Sequence, residues 1–438
     1  MISGWNEEDL LATAAQGDGF FITAPGAALK DGRYKVIRKL GRGRCSNTFL
    51  VEDTQPTSTA LKYLAAKVLS ADSTFALQKG YIAELDILQA VAAHAQGRPE
   101  PSVPILYDHF EQQGPHGMHY CFLTKPLRSH VHAFRASAPT GSLAVHVVKP
   151  IIACVAESLK FLHSIKIIHA DVKADNVLFL GPDTAEIEEA IRQAPSQVEG
   201  TFEFEGNSYP ILRSQPFQPK LGWDTSPFDA ETIMVVLSDL GAALWADRPK
   251  PPADIGAFAL RAPENVIRAE CGKEIDIWAL GCMTYELLAG EILFRPQPTA
   301  DITPDESLLL LQYALTGETL SKDLVEQSRV KERYFDSEGN FIKVITSPYP
   351  RQTIYDRLLA RRTDLTPTQL NAAAGFIRDC LRLNPADRPT ADQLDAHRWL
   401  ETAFMGGADE DEEAASAREG VVIPPLPGSI PPLPNAGM

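Results

Sequence analysis

Between two apolar stretches lies the run His169-Ala170-Asp171-Val172-Lys173-Ala174-Asp175-Asn176, which gathers a carboxylate, an ammonium and an amide into one loop before Val177-Leu178-Phe179. Taken alone it could be a polar loop with an Asx cap at Asp175 or Asn176. Other residues suggest more. Leu40-Gly41-Arg42-Gly43-Arg44-Cys45-Ser46 is a glycine-bearing turn between two strand-like segments, where the missing side chains let a backbone approach phosphates. Lys67 stands in the apolar stretch Leu64-Ala65-Ala66-Lys67, and an inward-pointing ammonium needs anionic partners because a buried unpaired charge is costly. Glu84, on the following helical stretch, is the expected partner; a lysine snorkelling to the surface is the alternative. Leu237-Ser238-Asp239-Leu240-Gly241 carries a carboxylate where a strand runs into a turn, a position suited to a metal ligand.

The elements that must hold these residues change type along the chain. Tyr34 to Leu40, Thr48 to Val51 and Leu64 to Leu69 read as successive strands, Ala76 to Ala93 as a helix with Leu77, Tyr81, Leu85 and Leu88 on one face, and His119 to Thr124 as a further buried strand. Val145 to His163, Lys273 to Leu288 and Thr368 to Leu383 have helical periodicity, so a β-rich first part gives way to a mainly α second part near Leu127. From Leu180 to Ile233 the chain turns polar and proline-containing without a clear period, which predicts an insert or spacer rather than core. The tail joins Asp409-Glu410-Asp411-Glu412-Glu413 to Pro424-Pro425-Leu426-Pro427 and Pro431-Pro432-Leu433-Pro434, a composition expected to be disordered.

The order of these motifs resembles the protein kinases. The resemblance implies an α+β bilobal protein-kinase fold: an N-terminal extension over residues 1–33, a kinase domain over 34–400 (N-lobe 34–127, C-lobe 128–400, insert 181–232) and a tail over 401–438. It also implies that Asp171 orients the substrate hydroxyl, that Lys173 stabilises charge on the transferring phosphoryl group, and that Asn176 and Asp239 bind Mg²⁺. Lys67, held by Glu84, would meet the nucleotide phosphates. Leu40, Gly41, Gly43, Ser46, Thr48 and Ala65 would line the ATP site, with Thr124 as gatekeeper and the backbone of Lys125 and Leu127 reading adenine. Pro126, which has no N–H, is tolerable between them. Arg261-Ala262-Pro263-Glu264, Asp276-Ile277-Trp278-Ala279-Leu280-Gly281-Cys282 and Asn384-Pro385-Ala386-Asp387-Arg388-Pro389 match structural kinase motifs. In these, Glu264 is expected to pair with Arg388 and Asp276 to brace the catalytic-loop backbone.

Within that superfamily, Arg33 to Gly43 with Ser46, and Asp239-Leu240-Gly241-Ala242-Ala243-Leu244-Trp245, look like the SR-protein kinases. This implies a non-specific serine/threonine protein kinase acting on Ser/Thr of proteins, with basic Arg/Ser-rich substrates as the finer expectation. Three positions depart from the pattern: Ala170 replaces an arginine that would receive an activating phosphate, Ala257 replaces a threonine, and Phe258 an arginine of the substrate loop. A pseudokinase scaffold and a small-molecule phosphotransferase are the rival readings. Intact Lys67, Glu84, Asp171, Asn176 and Asp239 oppose the first, and Ala262-Pro263-Glu264 with Asp276, Trp278 and Arg388 oppose the second.

Bulk properties fit. The 438 residues are 44% hydrophobic and 22% charged, and the net charge of −16 opposes unguided binding to a nucleic-acid backbone while permitting basic partners. Six scattered cysteines without a CxxC pair favour a reducing compartment. The first thirty residues carry no secretory pattern, and apolar runs such as Leu308 to Leu311 are far shorter than the ~20 residues of a membrane span. A cytoplasmic or nuclear protein without membrane contact is expected.

Overall fold

The computed structural model describes residues 7–56, 61–97, 102–248, 255–343 and 352–405. The acidic and proline-rich motifs of the tail lie outside them.

A six-stranded antiparallel sheet forms the first lobe. It contains β1 (Ala28–Leu29), β2 (Tyr34–Arg42), β3 (Ser46–Asp53), β4 (Tyr63–Leu69), β5 (Asp108–Gly114) and β6 (Gly117–Thr124), in the order β1-β2-β3-β4-β6-β5. Alternation along β4 sends Leu64, Ala66 and Val68 into one apolar cluster with Phe21, Val36, Val51 and Leu123. The alternate residues, Tyr63, Ala65 and Lys67, belong to the opposite face. Helices α1 (Ala71–Gln78) and α2 (Glu84–Ala95) follow. The single helix expected over Ala76–Ala93 is therefore two: Gly80 takes φ +72, which ends the first, and Tyr81 is exposed.

The second lobe is mainly helical. Helix α3 (Val131–Ala136) is followed by α4 (Val145–Ser164), which buries Val147, Ile151, Val155, Leu159 and Leu162. These share a core with Trp278, Met283 and Leu287 of a later helix, Glu274–Ala289, and with Phe376 and Ile377 of helix Pro367–Cys380. Two short ribbons lie at the lobe's upper face. Strand β7 (Ile167–Ile168) pairs with Leu244–Trp245, and β8 (Val177–Phe179) pairs with Val235–Leu237. The loop His169–Asn176 joins β7 to β8, and the segment Ser238–Ala243 joins their partners, so two ladders force two loops together.

The polar stretch after Leu180 is more ordered than its composition predicts. It forms α5 (Thr184–Gln193), started by a capping box of Asp183 and Glu186, and a hairpin of β9 (Val198–Phe204) and β10 (Asn207–Leu212). The hairpin turns through Glu205 (φ +47) and Gly206 (φ +79), as a two-residue turn with left-handed residues requires. Helix α5 buries Ile187 and packs the half-buried Ala190 and Ile191 beside it, a short apolar stripe at helical spacing. Ile187 and Phe217 pack with Leu40, Leu50, Tyr63 and Ala65 of the sheet, while Phe202 and Ile211 pack with Ile22. The expectation of a spacer outside the core is corrected at these positions.

The segment before β1 is likewise built in. The Lys39 ammonium, only 1% exposed, contacts Glu7 at 2.7 Å and Glu8, and the Glu7 carboxylate also accepts hydrogen bonds from Ser214 N–H (2.8 Å) and Oγ (2.9 Å). Six cysteines are free thiols, and among the described residues no helix is long and apolar enough to cross a membrane.

Candidate active site

Between the lobes lies a cavity of about 260 Å³ whose lining includes Leu40, Gly41, Gly43, Ser46 and Thr48 from the β2–β3 turn, and Ala65 and Lys67 from β4. Glu84 from α2, Thr124 at the end of β6, Lys125 and Leu127 after it, and Asn176 and Asp239 from the two loops complete the nucleotide- and metal-binding residues expected from the sequence, while Asp171 and Lys173 lie outside this lining. The same wall holds residues that sequence reasoning missed: Arg128, His130, Asp175, Leu178 and Pro216. Asp175 sits inside a motif that could have drawn attention to it. Pro216 comes from the insert, and no spacing or residue type signals its placement.

Lys67 Nζ lies 2.5 Å from Glu84 Oε1 and 2.8 Å from Asp239 Oδ1. The Glu84 side chain is 3% exposed and Asp239 about half exposed toward the cavity. Burial opposes the ammonium, but the Coulombic attraction of Asp239 and Glu84 outweighs it and holds the Lys67 pKa above its ordinary value. That attraction, seen from the other partner, pulls the Asp239 carboxyl well below the carboxylate range. Burial pushes Glu84 upward, against the pull of Lys67. One ammonium and a firmly ionised aspartate therefore face the same cavity.

The His169–Asn176 loop is held from below by Asp276. Its Oδ2 accepts the His169 N–H at 2.8 Å and lies 2.9 Å from His163 Nε2, while Oδ1 accepts the Ala170 N–H at 2.8 Å. Ala170 takes φ +67 there, a strained conformation stabilised by that bidentate clamp. Beyond it, Lys173 Nζ donates to Asp171 Oδ2 at 2.6 Å, and Asn176 Nδ2 donates to the same oxygen and to the Asp171 carbonyl, both at 2.9 Å. Ser238 N–H donates to the Asn176 carbonyl at 2.7 Å, which fixes the loop against the strand leading to Asp239. Asp171 itself borders a smaller recess beside the cavity, shared with Ile255, Gly256, Ala257 and Leu260. Arg261 places its guanidinium 5.3 Å from the Phe258 ring.

Two hard oxygen donors meet at this cavity. Asn176 Nδ2 is committed to Asp171, which leaves Oδ1 as its donor atom, and Asp239 Oδ1 accepts from Lys67 and Gly241 N–H, which leaves Oδ2. An amide oxygen and a carboxylate suit Mg²⁺, which keeps several waters and takes phosphate oxygens for the rest of its shell.

Farther from the cavity, Glu264 and Arg388 form the pair that the resemblance implied, at 2.6 and 2.8 Å with both side chains fully buried. The guanidinium also lies 5.0 Å from the Trp278 ring.

Comparison with known proteins gives the class. The protein kinase domain matches residues 34–188 and 228–400, and the chain belongs to that family. A crystal structure of a kinase domain superposes with a TM-score of 0.62 at 18% identity, covering 87% of this chain and 99% of that one; the shared fold is bilobal, with a β-rich first lobe and a helical second. Within the family, the chain is 25% identical over 386 residues to "Serine/threonine-protein kinase SRPK" of Physarum polycephalum, covering 84% of this chain and 85% of the relative. It is 21% identical over 502 residues to "SRSF protein kinase 3" of Mus musculus, covering 85% and 87%.

Proposed function

We propose that the chain is an ATP- and Mg²⁺-dependent serine/threonine protein kinase whose preferred substrates are basic, Arg/Ser-rich protein segments. The observation that carries the chemistry is the convergence of Lys67, Asn176 and Asp239 on one interlobe cavity, with Asp171 tied to its floor through Asn176. In this reading adenine lies against Ala65 and the backbone of Lys125 and Leu127. The Lys67 ammonium, pinned by Glu84, aligns the phosphates. Asp171 accepts the hydrogen bond of the incoming Ser or Thr hydroxyl, which orients its oxygen for attack on the γ-phosphorus. Lys173, already against Asp171, stabilises negative charge on the transferred group. Mg²⁺, held by Asn176 and Asp239 when bound, neutralises phosphate charge. A non-catalytic scaffold has no need of this full set.

The substrate class rests on the net charge of −16 and on relatives named for SR-protein substrates. A cytoplasmic or nuclear setting follows from the same likeness. The test is transfer from labelled ATP with Mg²⁺ to Ser/Thr peptides flanked by arginine or by acidic residues. Arginine-flanked peptides should be preferred, with the preference weakening as salt rises, and Asp171→Asn should lower turnover by about 10²–10⁴-fold. ATP binding without transfer to any peptide would establish the scaffold reading instead. Equal turnover of both peptide classes would remove the basic preference while leaving the chemistry intact.

A further inference from the structure

The insert returns to the body of the protein through Arg213–Gln218, and this short segment touches both lobes. Gln215 N–H donates to the Lys39 carbonyl on β2 at 3.0 Å, one residue before Leu40 of the cavity roof. Two residues later, the Phe217 carbonyl accepts the Ser129 N–H at 2.7 Å, immediately before His130 of the cavity rim. Phe217 is buried in the cluster that contains Leu40 and Ala65, with the Arg38 guanidinium 4.5 Å from its ring. Arg128 fixes the segment from the hinge side: its Nη1 donates to the Gln218 carbonyl at 3.1 Å, while Nη2 meets Glu186 of α5 at 2.8 Å and Nε the Leu180 carbonyl at 3.2 Å. Pro216 lies between the two anchors, exposed to solvent and lining the cavity.

We propose that Arg213–Gln218 is a wall of the nucleotide site and that Pro216 packs against the nucleoside of bound ATP. This rests on the ATP-site reading above. If adenine meets Lys125 and Leu127 and the phosphates meet Lys67, the ribose lies between, beside the residues that follow Leu127. Of those residues, Arg128 and Ser129 are where the Arg213–Gln218 strap attaches, and His130 follows directly. A proline suits the task because its fixed φ holds the ring in place with little conformational entropy lost on binding, and it has no N–H to leave unsatisfied at the mouth. The wall is supplied by a part of the chain that the family match leaves out, since residues 189–227 fall between the two matched segments. It also ties the roof to the floor, so widening of the cleft on this side requires release of the Lys39 or Ser129 hydrogen bond.

The experiment compares the full-length wild type with Pro216→Gly and Phe217→Ala. MgATP affinity is measured by calorimetry, nucleotide release by stopped flow, KM for ATP and for an arginine-flanked peptide by initial rates, and folding by thermal melting. Pro216→Gly removes an exposed ring and should leave peptide KM unchanged, with only the small fall in melting temperature that the freer unfolded chain brings. It should raise the Kd and KM for ATP roughly tenfold, the low end expected for removing apolar contact from a binding wall, and speed nucleotide release. Phe217→Ala, which frees the anchor, should do the same or more. Unchanged ATP affinity and release in Pro216→Gly would overturn the proposal. So would a loss that raised peptide KM equally and lowered the melting temperature as far as Phe217→Ala does, because the strap would then be scaffolding alone. A wild type that binds no ATP would instead defeat the underlying kinase reading, so the two failures are distinguishable.

Discussion

Asp239 occupies the left-handed region at φ +64, where a residue with a Cβ is strained, and its Oδ1 is held by Lys67 and Gly241 N–H. Its carboxyl is depressed below its ordinary value of 3.8, chiefly by the Lys67 charge. A depressed carboxylate contributes stability above its unfolded pKa and loses it as pH falls toward the folded value. The melting difference between wild type and Asp239→Asn should therefore be flat between about pH 5 and pH 8 and shrink below about pH 4. A difference that changed steadily across the neutral range would mean that another group controls the pair. The residues of this site were legible because their environments conflict with their chemistry. An ammonium in an apolar strand, as at Lys67, must find acids, and a loop that holds Asp171, Lys173 and Asn176 between apolar strands has few bland explanations. Pro216 had no such conflict to reveal it.

At the scale of elements, Asp276 and the Glu264–Arg388 pair hold the loops that the short ribbons bring together. Arg388 is bound on every side: Glu264 takes two of its nitrogens, and the carbonyls of Arg382, Leu383 and Glu274 accept the remaining hydrogen bonds. Arg388→Ala leaves a fully buried carboxylate without its cation and should cost about 3–5 kcal/mol, read from denaturant unfolding. Glu264→Gln/Arg388→Met should recover part of that loss, because the uncompensated charge is gone. The strands and long helices were readable from period two and period 3.6. The division between α1 and α2 was not, because Leu77, Leu85 and Leu88 keep helical spacing across a break made by Gly80. Helix α5 was passed over for a different reason: Ile187, Ala190 and Ile191 do recur at helical spacing, but this short stripe stands alone in a polar segment and docks on a distant sheet.

For the molecule as a whole, the stretch from Asp239 to Glu264 contains no Ser, Thr or Tyr, and Ala170 offers no cation to a phosphate. In the described part of that stretch, Gly256 sits so close to the catalytic loop that a Cβ there would come within 2.8 Å of the Ala170 carbonyl. Backbone contact does the positioning that phosphate pairing could otherwise do. Phosphatase-treated enzyme should keep its peptide turnover, and loss of activity on phosphatase treatment, restored by rephosphorylation, would contradict this. The insert carries a consequence for biosynthesis. Glu7 and Ser214 stand 207 residues apart in the chain yet share one buried cluster with Lys39. On the ribosome, the first sheet emerges long before Ile187, Phe202, Ile211 and Phe217 exist to cover it, so Leu40, Leu50 and Ile22 remain open to water meanwhile. The N-lobe therefore cannot mature as an independent N-terminal unit. It must wait, with adhesive surface showing, for a segment made in the middle of the other lobe, which makes the nascent chain a natural client for chaperones.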